Sequence, residues 1–280
     1  SLALRALICR LLAMLRLYCP NLEPGFFRLP DSEAAHALKS RRLRAGDSVV
    51  LFNGRGAYAR ARLCPLGNGA YAPAGTREFG VPVERLKNRR APAVLAEVTV
   101  IEQAPPPTDT LELVVAGCKG PRLDWLVEKC TELGVTRLVL AEFERSVVRV
   151  GPTHVHNLER TAIEACKQCG RLWLPEISAG LPLSAAIGHG LALDRGQADS
   201  SARRMAFADP AATLPLGRWL ESAARGNVTV VVGPEGGLTP AEIDELSGGG
   251  AQAVRLAEHV LRVETAAIAV ASVCAARLSE

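Results

Sequence analysis

The chain has 280 residues, 48% of them apolar, which is enough for one large or two ordinary domains with hydrophobic cores. Because it has no run of roughly eighteen uncharged apolar residues, it predicts no transmembrane helix and no membrane partner. The net charge of +4 is uneven: residues 1–104 carry 16 basic and 8 acidic side chains, or +8, and residues 105–280 carry 17 and 21, or −4. This asymmetry favours a polyanionic partner for the first part, although an ordinary basic surface would have the same composition.

The first residues combine basic side chains with leucines at helical spacing. Residues 1–22 contain Arg5, Arg10 and Arg16 and no acidic residue, a pattern that also occurs in amphipathic targeting segments. Met14 opens a strand-like run, so we expect it to be the functional start and residues 1–13 to be an extension. We therefore predict a cytoplasmic protein.

Eight cysteines are scattered along the chain, as is typical of reduced cytosolic thiols. Cys166 and Cys169 form a C-x-x-C pair, but no second pair and no histidine pair stands at zinc spacing. Because the two lie three apart within a helical pattern, we interpret them as packing residues rather than as a metal or redox site. The sequence predicts no bound metal.

Short strands and turns dominate residues 14–104, and a short helix is predicted over 31–39. Asn53-Gly54 is a hairpin signal. Residues 65–90 are rich in glycine and proline and read as an inserted loop. The strands are predicted over 15–18, 48–52, 57–63 and 94–101. This pattern predicts a small β-barrel.

Strands and helices alternate in residues 109–280, after the stiff linker Pro105-Pro106-Pro107. The predicted strands cover 111–116, 137–141, 204–208, 228–232 and 253–256. The predicted helices cover 123–133, 156–169 and 264–278, and residues 194–203 read as a surface loop. The alternation predicts an α/β domain with a mostly parallel sheet, in which ligands bind beyond the carboxyl ends of the strands.

A glycine-rich loop, Gly233-Pro234-Glu235-Gly236-Gly237-Leu238, directly follows the predicted strand over 228–232. Thr239, Pro240 and Glu242 then have the pattern of a capping box that opens a helix. The loop lacks the lysine of a P-loop and the spacing of a dinucleotide-binding loop, and Glu235 would put a carboxylate beside any polyphosphate. It favours a neutral or cationic ligand, such as an adenosine carrying a sulfonium. A bare strand-to-helix turn with a solvated Glu235 is the alternative.

A second segment, residues 256–265, follows the last predicted strand. Glu264 lies in the first turn of the predicted helix, where a carboxylate complements the helix dipole. No comparable structural role explains the arginine at position 262, just before this helix. The helix itself needs close packing, because its apolar face consists of the small residues Ala266, Ala267, Val270, Ala271 and Cys274.

Five motifs, which include these two segments, occur in order along the chain. They are Arg122-Leu123-Asp124-Trp125 through Lys129 to Glu132-Leu133-Gly134-Val135, then Glu144-Arg145-Ser146-Val147-Val148, then Glu164 to Arg171 with Pro175-Glu176-Ile177, the loop Gly233 to Leu238, and Leu261-Arg262-Val263-Glu264-Thr265-Ala266. In these motifs and their spacing the chain resembles the RsmE family of 16S ribosomal RNA uridine-N3 methyltransferases, over roughly residues 14–64 and 91–280. That family belongs to the SPOUT superfamily. The resemblance implies a PUA-like RNA-binding barrel over 14–104 and a methyltransferase domain over 109–280 with a trefoil knot near its C-terminus.

The resemblance also implies a cofactor and partners. The knot loops would hold S-adenosylmethionine through Phe207, Ala208, Gly233, Pro234, Glu235, Gly236, Leu256, Val260 and Leu261. The expected partners are 16S ribosomal RNA in the 30S subunit and a second copy of the chain, with the helical face over 265–276 at the dimer interface. His259 and Ala257 stand where the family commonly has arginine and glycine, which affects local contacts rather than the reaction class.

The implied reaction needs charge stabilisation and a proton acceptor, because N3 of uridine carries a proton. Arg262 is the first candidate, either to stabilise charge on O2 or O4 of the uracil or to hold the target phosphate. Glu264 or Glu235 would accept the proton. Side chains expected to contact RNA are Arg16, Lys39, Arg41, Arg42, Arg44, Lys119, Arg145 and Arg171.

Two other functions fit parts of the pattern. One is a SPOUT enzyme that methylates another RNA position, such as a ribose 2′-hydroxyl. The other is a non-catalytic RNA-binding factor of ribosome assembly with a vestigial knot, against which the intact glycine loop and the Leu-Arg-x-Glu-Thr-Ala segment argue.

Overall fold

The computed structural model describes residues 14–29, 46–65, 77–78, 81–82, 94–189, 204–222 and 226–278. The chain divides into two compact units, one of Ser1–Pro106 with Cys166–Trp173 and one of Pro107–Ala165 with Leu174–Glu280. The predicted helix over 31–39, the predicted loop over 194–203 and most of the 65–90 insertion lie outside the described residues.

A mostly antiparallel sheet forms the first unit. Asn53 makes the predicted hairpin between two of its strands: the Oδ1 atom accepts hydrogen bonds from the backbone N–H groups of Arg55 and Ala57, at 2.8 and 3.0 Å. Phe27, Leu51 and Leu63 are among the side chains that form its core. The strands are β1 (Arg16–Tyr18), β2 (Gly25–Arg28), β3 (Ser48–Phe52), β4 (Ala57–Pro65), β5 (Arg77–Glu78), β6 (Val81–Pro82), β7 (Val94–Val98) and β8 (Glu102–Gln103).

A six-stranded sheet is the centre of the second unit, and strands and helices alternate around it. The elements are β9 (Leu111–Ala116), α1 (Pro121–Glu132), β10 (Arg137–Glu142), α2 (Val155–Cys169), β11 (Glu176–Pro182), α3 (Leu183–His189), β12 (Arg204–Ala208), α4 (Leu216–Glu221), β13 (Val228–Val232), α5 (Pro240–Gly248), β14 (Gln252–Val254) and α6 (Val263–Leu278). The strand order is β11-β10-β9-β13-β12-β14, and every neighbouring pair is parallel. The predicted α/β class with a parallel sheet is confirmed. The threading of the predicted knot stays a prediction.

Apolar side chains cover both faces of the central strands. All six residues of β9 are buried, as expected for a parallel strand with helices on either side. The predicted small-residue face of α6 is also buried, because this helix packs against α1 and against β9 and β13. The small side chains of this face permit the close approach of α1. Other residues of α6, including Thr265, Ser272 and Val273, are exposed, and the dimer interface over 265–276 stays a prediction.

No helix among the described residues has both the length and the apolar character that crossing a membrane requires.

Candidate active site

Three adjacent strands of the parallel sheet, β13, β12 and β14, end at a half-open pocket. Because the carboxyl ends of parallel strands meet at one edge of the sheet, the loops that follow them converge there. The pocket has a volume of about 240 Å³. It is lined by Ala208, Asp209, Pro210, Val232, Gly233, Pro234, Glu235, Gly237, Leu238, Ile243, Leu256, Ala257, His259, Val260, Leu261, Val263 and Ala266.

The glycine loop folds as a tight turn. The N–H of Gly237 donates to the carbonyl of Pro234 at 2.9 Å, and Gly237 has φ +72°, a left-handed conformation that favours glycine. Gly233 is required for a different reason, since a Cβ atom there would stand 2.8 Å from Cδ2 of Leu238. The turn thus closes over Leu238 and leaves Glu235 exposed at its tip.

The predicted capping box after this loop is present. The hydroxyl of Thr239 accepts from the N–H of Glu242, while the carboxylate of Glu242 accepts from the N–H of Thr239 at 2.8 Å. The other carboxylate oxygen of Glu242 accepts from the N–H of Glu144, also at 2.8 Å. Glu242 therefore joins the start of α5 to the loop after β10.

Arg145 makes a second connection between the loop after β10 and the glycine loop. Its Nη1 donates to the carbonyl of Gly236 at 3.0 Å and to the carbonyl of Leu238 at 3.4 Å. A Cβ atom at Gly236 would lie 3.2 Å from Cβ of Arg145, so the two backbones approach closely. The guanidinium that the sequence assigned to RNA is bonded to the pocket loop.

The opposite wall of the pocket is the segment from Leu256 to Val263. Leu256 and Leu261 pack against the core, whereas Val260 is 78% exposed at the pocket rim. Arg262 is also exposed, and its carbonyl accepts from the N–H of Ala266 at 2.8 Å, which begins α6. Its backbone is therefore fixed at a helix start between the lining residues Leu261 and Val263, while Arg262 itself does not line the pocket.

Glu264 lies in the first turn of α6 and is only 4% exposed. Its Oε1 lies 3.6 Å from Nε of Arg122, and its Oε2 has no hydrogen-bond partner among the described residues. Cys118, just after β9, is close to these charges. Burial, followed by the carboxylates of Glu264 and Glu235, raises the pKa of the Cys118 thiol to about 11.

The structure brings most of the predicted cofactor residues together. Those that line the pocket are Ala208, Gly233, Pro234, Glu235, Leu256, Val260 and Leu261. Phe207 is buried one position before the pocket wall, and Gly236 faces Arg145. Their roles as ligands stay predictions.

Sequence reasoning missed Asp209, Leu238 and Ile243 as lining residues. Asp209 had a signal, because it directly follows a predicted strand whose end meets the same sheet edge. Its Oδ1 accepts from the N–H of Ala211 at 2.8 Å and its own N–H donates to Val254 at 2.9 Å. These bonds hold the loop after β12 against β14.

The predicted RNA-binding side chains lie in different environments. Lys119 is exposed after β9, in a position that a polyanion can reach. Arg16 is only 4% exposed, and burial lowers the pKa of its guanidinium as it does that of Arg171. Lys39, Arg41, Arg42 and Arg44 lie outside the described residues. All eight roles stay predictions.

The C-x-x-C pair lies at the end of α2, where Cys166 is buried and Cys169 is half-buried. Burial raises the pKa of the Cys166 thiol to about 12, which keeps it protonated at neutral pH. Within the part of the chain that the structure describes, no group of three or more His, Cys, Asp or Glu side chains is arranged to hold a metal ion.

Comparison with known protein families bears on both units. The RNA methyltransferase domain family matches residues 104–275, and the RNA methyltransferase PUA domain family matches residues 29–63. The ribosomal RNA small subunit methyltransferase E of Mycobacterium bovis is 28% identical over 239 residues, which cover 84% of this chain and 80% of that protein. The chain belongs to the RsmE family of RNA methyltransferases. This RsmE-family chain accordingly has an N-terminal PUA domain followed by a methyltransferase domain.

Solved structures resemble the RsmE-family chain over most of its length. The ribosomal RNA small subunit methyltransferase E from Neisseria gonorrhoeae bound to S-adenosyl methionine is 27% identical, with a TM-score of 0.67, covering 92% of this chain and 96% of that one. A probable rRNA-methyltransferase from Porphyromonas gingivalis is 26% identical, with a TM-score of 0.70, covering 92% and 95%. The likeness therefore includes both the PUA and the methyltransferase domains.

Proposed function

We propose that this RsmE-family enzyme methylates N3 of a specific uridine in 16S ribosomal RNA, with S-adenosylmethionine as the methyl donor and the assembled 30S subunit as the substrate. Such a substrate implies action in the cytoplasm. The observation that carries the proposal is the pocket at the carboxyl ends of β12, β13 and β14, which is built from the two segments that resemble the family. The relative from Neisseria gonorrhoeae, which binds S-adenosyl methionine, supports the choice of donor.

The chemistry of the pocket walls fits this donor. Leu238, Ile243 and Leu256 offer apolar surface for an adenine ring, and backbone groups of the glycine loop offer donors and acceptors. Asp209 and Glu235 add two carboxylates, and no Lys or Arg occurs among the described lining residues. This charge balance favours a cationic sulfonium over a polyphosphate. When bound, S-adenosylmethionine supplies an electrophilic methyl group.

The nucleophile needs help from the protein. N3 of uracil becomes a good nucleophile only when its proton leaves, and the new N–CH₃ bond then forms as the methyl–sulfur bond breaks. We assign proton acceptance to Glu235, because it is exposed at the pocket, and an electrostatic role to Glu264, because it is buried. Arg262 stabilises the negative charge that develops on O2 or O4 of the uracil, or else holds the target phosphate.

RNA binding falls mainly to the basic first part of the chain. Its contacts to phosphates provide affinity, whereas the pocket selects a base whose N3 edge is free of pairing. Lys119, at the sheet edge that carries the pocket, is a further phosphate contact. A homodimer remains part of the proposal, with residues 265–276 at the interface through the exposed side of α6, which includes Thr265, Ser272 and Val273.

Methyl transfer to 30S subunits by the purified protein tests the proposal. We expect transfer by the wild type and by Arg255→Ala, a control that removes an exposed arginine outside the pocket lining. Arg262→Ala should retain its fold, judged by circular dichroism, and lose turnover at least a hundredfold, on the order expected for one charge-stabilising group. Cofactor binding without transfer to any RNA would favour the assembly-factor alternative. Transfer to a ribose would favour the other methyltransferase.

A further inference from the structure

The contacts of Arg145 differ from those of a residue kept free for RNA. Its Nη1 is shared between the carbonyls of Gly236 and Leu238, at 3.0 and 3.4 Å, and its Cβ packs against the backbone at Gly236. Both carbonyls belong to the glycine loop, so one side chain holds two points of the same turn.

These bonds also affect the position of the pocket wall. Leu238 lines the pocket, and its side chain lies over Gly233, where even a Cβ atom would approach within 2.8 Å. Holding the carbonyl of Leu238 therefore fixes the side chain that closes the loop against Gly233. The neighbouring bond from the N–H of Glu144 to Glu242 anchors the start of α5 to the same loop after β10.

We propose that Arg145 is a positioning residue that holds the glycine loop in the shape that binds the methyl donor, rather than a contact to RNA phosphate. The inference rests on the proposed function for the identity of the donor. The part of the inference that concerns the shape of the loop does not depend on the proposed function, because the order of the loop can be measured without any ligand.

Replacing Arg145 with lysine distinguishes a phosphate contact from a clamp on the glycine loop. A phosphate contact needs a positive charge, which an ammonium group also supplies. The clamp needs a donor at the position of Nη1, which bonds to both carbonyls and lies one bond further from the backbone than the ammonium of a lysine, so a lysine does not reproduce both bonds. Arg149 provides a matched control, since it lies on the same segment, is 68% exposed and pairs with Glu142 at 3.7 Å.

The experiment compares the wild type with Arg145→Lys, Arg145→Ala and Arg149→Ala. S-adenosylmethionine affinity is measured by calorimetry, and affinity for 30S subunits by sedimentation. Both Arg145 variants should lose cofactor affinity on the order of tenfold, as expected when a charge-assisted hydrogen bond is lost. KM for the cofactor should rise more than kcat falls, 30S affinity should stay within about twofold of the wild type, and Arg149→Ala should match the wild type.

Unchanged cofactor affinity, together with weak 30S binding by Arg145→Ala that Arg145→Lys restores, would overturn the proposal in favour of a phosphate contact. Amide hydrogen exchange provides a readout without ligand. The N–H of Gly237, which bonds to Pro234, should exchange faster in both Arg145 variants. Unchanged exchange would also overturn the proposal. If the wild type binds no S-adenosylmethionine but both Arg145 variants still exchange the Gly237 N–H faster than the wild type, only the proposed function is contradicted.

A double-mutant cycle tests the contact from its other side. In the wild type, Gly236→Ala brings a Cβ atom to 3.2 Å from Cβ of Arg145 and should weaken cofactor binding. Arg145→Ala keeps the Cβ atom, but it removes Cδ, which would lie 3.5 Å from the new methyl group, and the guanidinium bonds that hold the loop in place. The loop can then shift away from the remaining contact, so the same substitution should have a smaller effect in that background. Effects that simply add in the double variant contradict the coupling.

Discussion

Nε of Arg122 lies 3.6 Å from Oε1 of Glu264, so a half-exposed cation at the start of α1 is paired with a buried carboxylate at the start of α6. The pair joins the two helices beside the candidate active site. Glu264 directly follows Arg262 and Val263, so the pair lies at the end of the segment that forms one wall of the pocket.

Removing the cation of this pair leaves a buried carboxylate without its partner. We expect Arg122→Ala to lower the free energy of unfolding by about 1–2 kcal/mol, which is less than for a fully buried pair because water reaches the guanidinium. Urea denaturation measures the change. In the Glu264→Gln background the same substitution should cost much less, and equal costs in the two backgrounds would contradict the pairing.

Gly233 tests the close approach inside the glycine loop. Gly233→Ala would put a Cβ atom 2.8 Å from Cδ2 of Leu238, so Leu238 must move and the pocket wall with it. We expect a loss of cofactor affinity of about tenfold or more, measured by calorimetry. Gly248→Ala, at the end of α5 with nothing within 4 Å, is the matched control and should leave that affinity unchanged. Tight binding by Gly233→Ala would show that the loop adapts.

A buried ion pair crosses the parallel sheet between β9 and β10. Nη1 of Arg137 donates to Oε2 of Glu112 at 3.1 Å, and the two residues are direct partners in the strand register. Glu112→Ala should lower the free energy of unfolding by about 3 kcal/mol, because it leaves the arginine buried without this partner. Replacing the pair with Glu112→Leu and Arg137→Met together should cost less than Glu112→Ala alone. A larger cost for the double variant would contradict this account.

The thiol of Cys118 gives a pH-dependent prediction. Its pKa is raised from 9.0 to about 11, first by burial and then by Glu264 and Glu235, so the native state holds the proton more tightly than the unfolded state. This contribution to stability is complete below pH 9 and is lost as the pH rises through 11. At pH 8, iodoacetamide should therefore alkylate Cys118 about a hundredfold more slowly in native than in urea-unfolded protein.

Peptide mass spectrometry follows this alkylation site by site. The half-buried Cys64 is an internal reference and should react faster than Cys118 in the native protein. Rapid labelling of Cys118 in the native protein at pH 8 would contradict both the burial of the thiol and its raised pKa.

The elements with strong local signals were predictable from sequence. β13 at Val228–Val232 and β3 at Ser48–Phe52 have the predicted bounds, and the Thr239–Glu242 capping box forms as expected, because these patterns depend on residues close in sequence. Five strands were missed, and three of them, β5, β6 and β8, are only two residues long. β11 contains Gly180 at φ +77° and ends at Pro182, both of which weaken a strand signal, and β2 is only four residues long.

The site was predictable only where its residues are contiguous. The glycine loop and the segment before α6 were found as runs, whereas the bond of Arg145 to Gly236 and Leu238 joins residues far apart in sequence. An arginine in a charged stretch looks the same whether it meets RNA or a backbone carbonyl. The burial of Arg16 was hidden for the same reason, since it depends on how the sheet packs rather than on the local pattern.

The identity of the methylated atom is the central claim, and mass spectrometry of nucleosides tests it most directly. Subunits of 30S that lack the modification would be incubated with the purified wild-type protein and S-adenosylmethionine, and their 16S ribosomal RNA digested to nucleosides. The account predicts 3-methyluridine, formed at least a hundredfold more slowly when Arg262→Ala replaces the wild type. A 2′-O-methylated nucleoside, or no methylated nucleoside from protein that binds the cofactor, would contradict it.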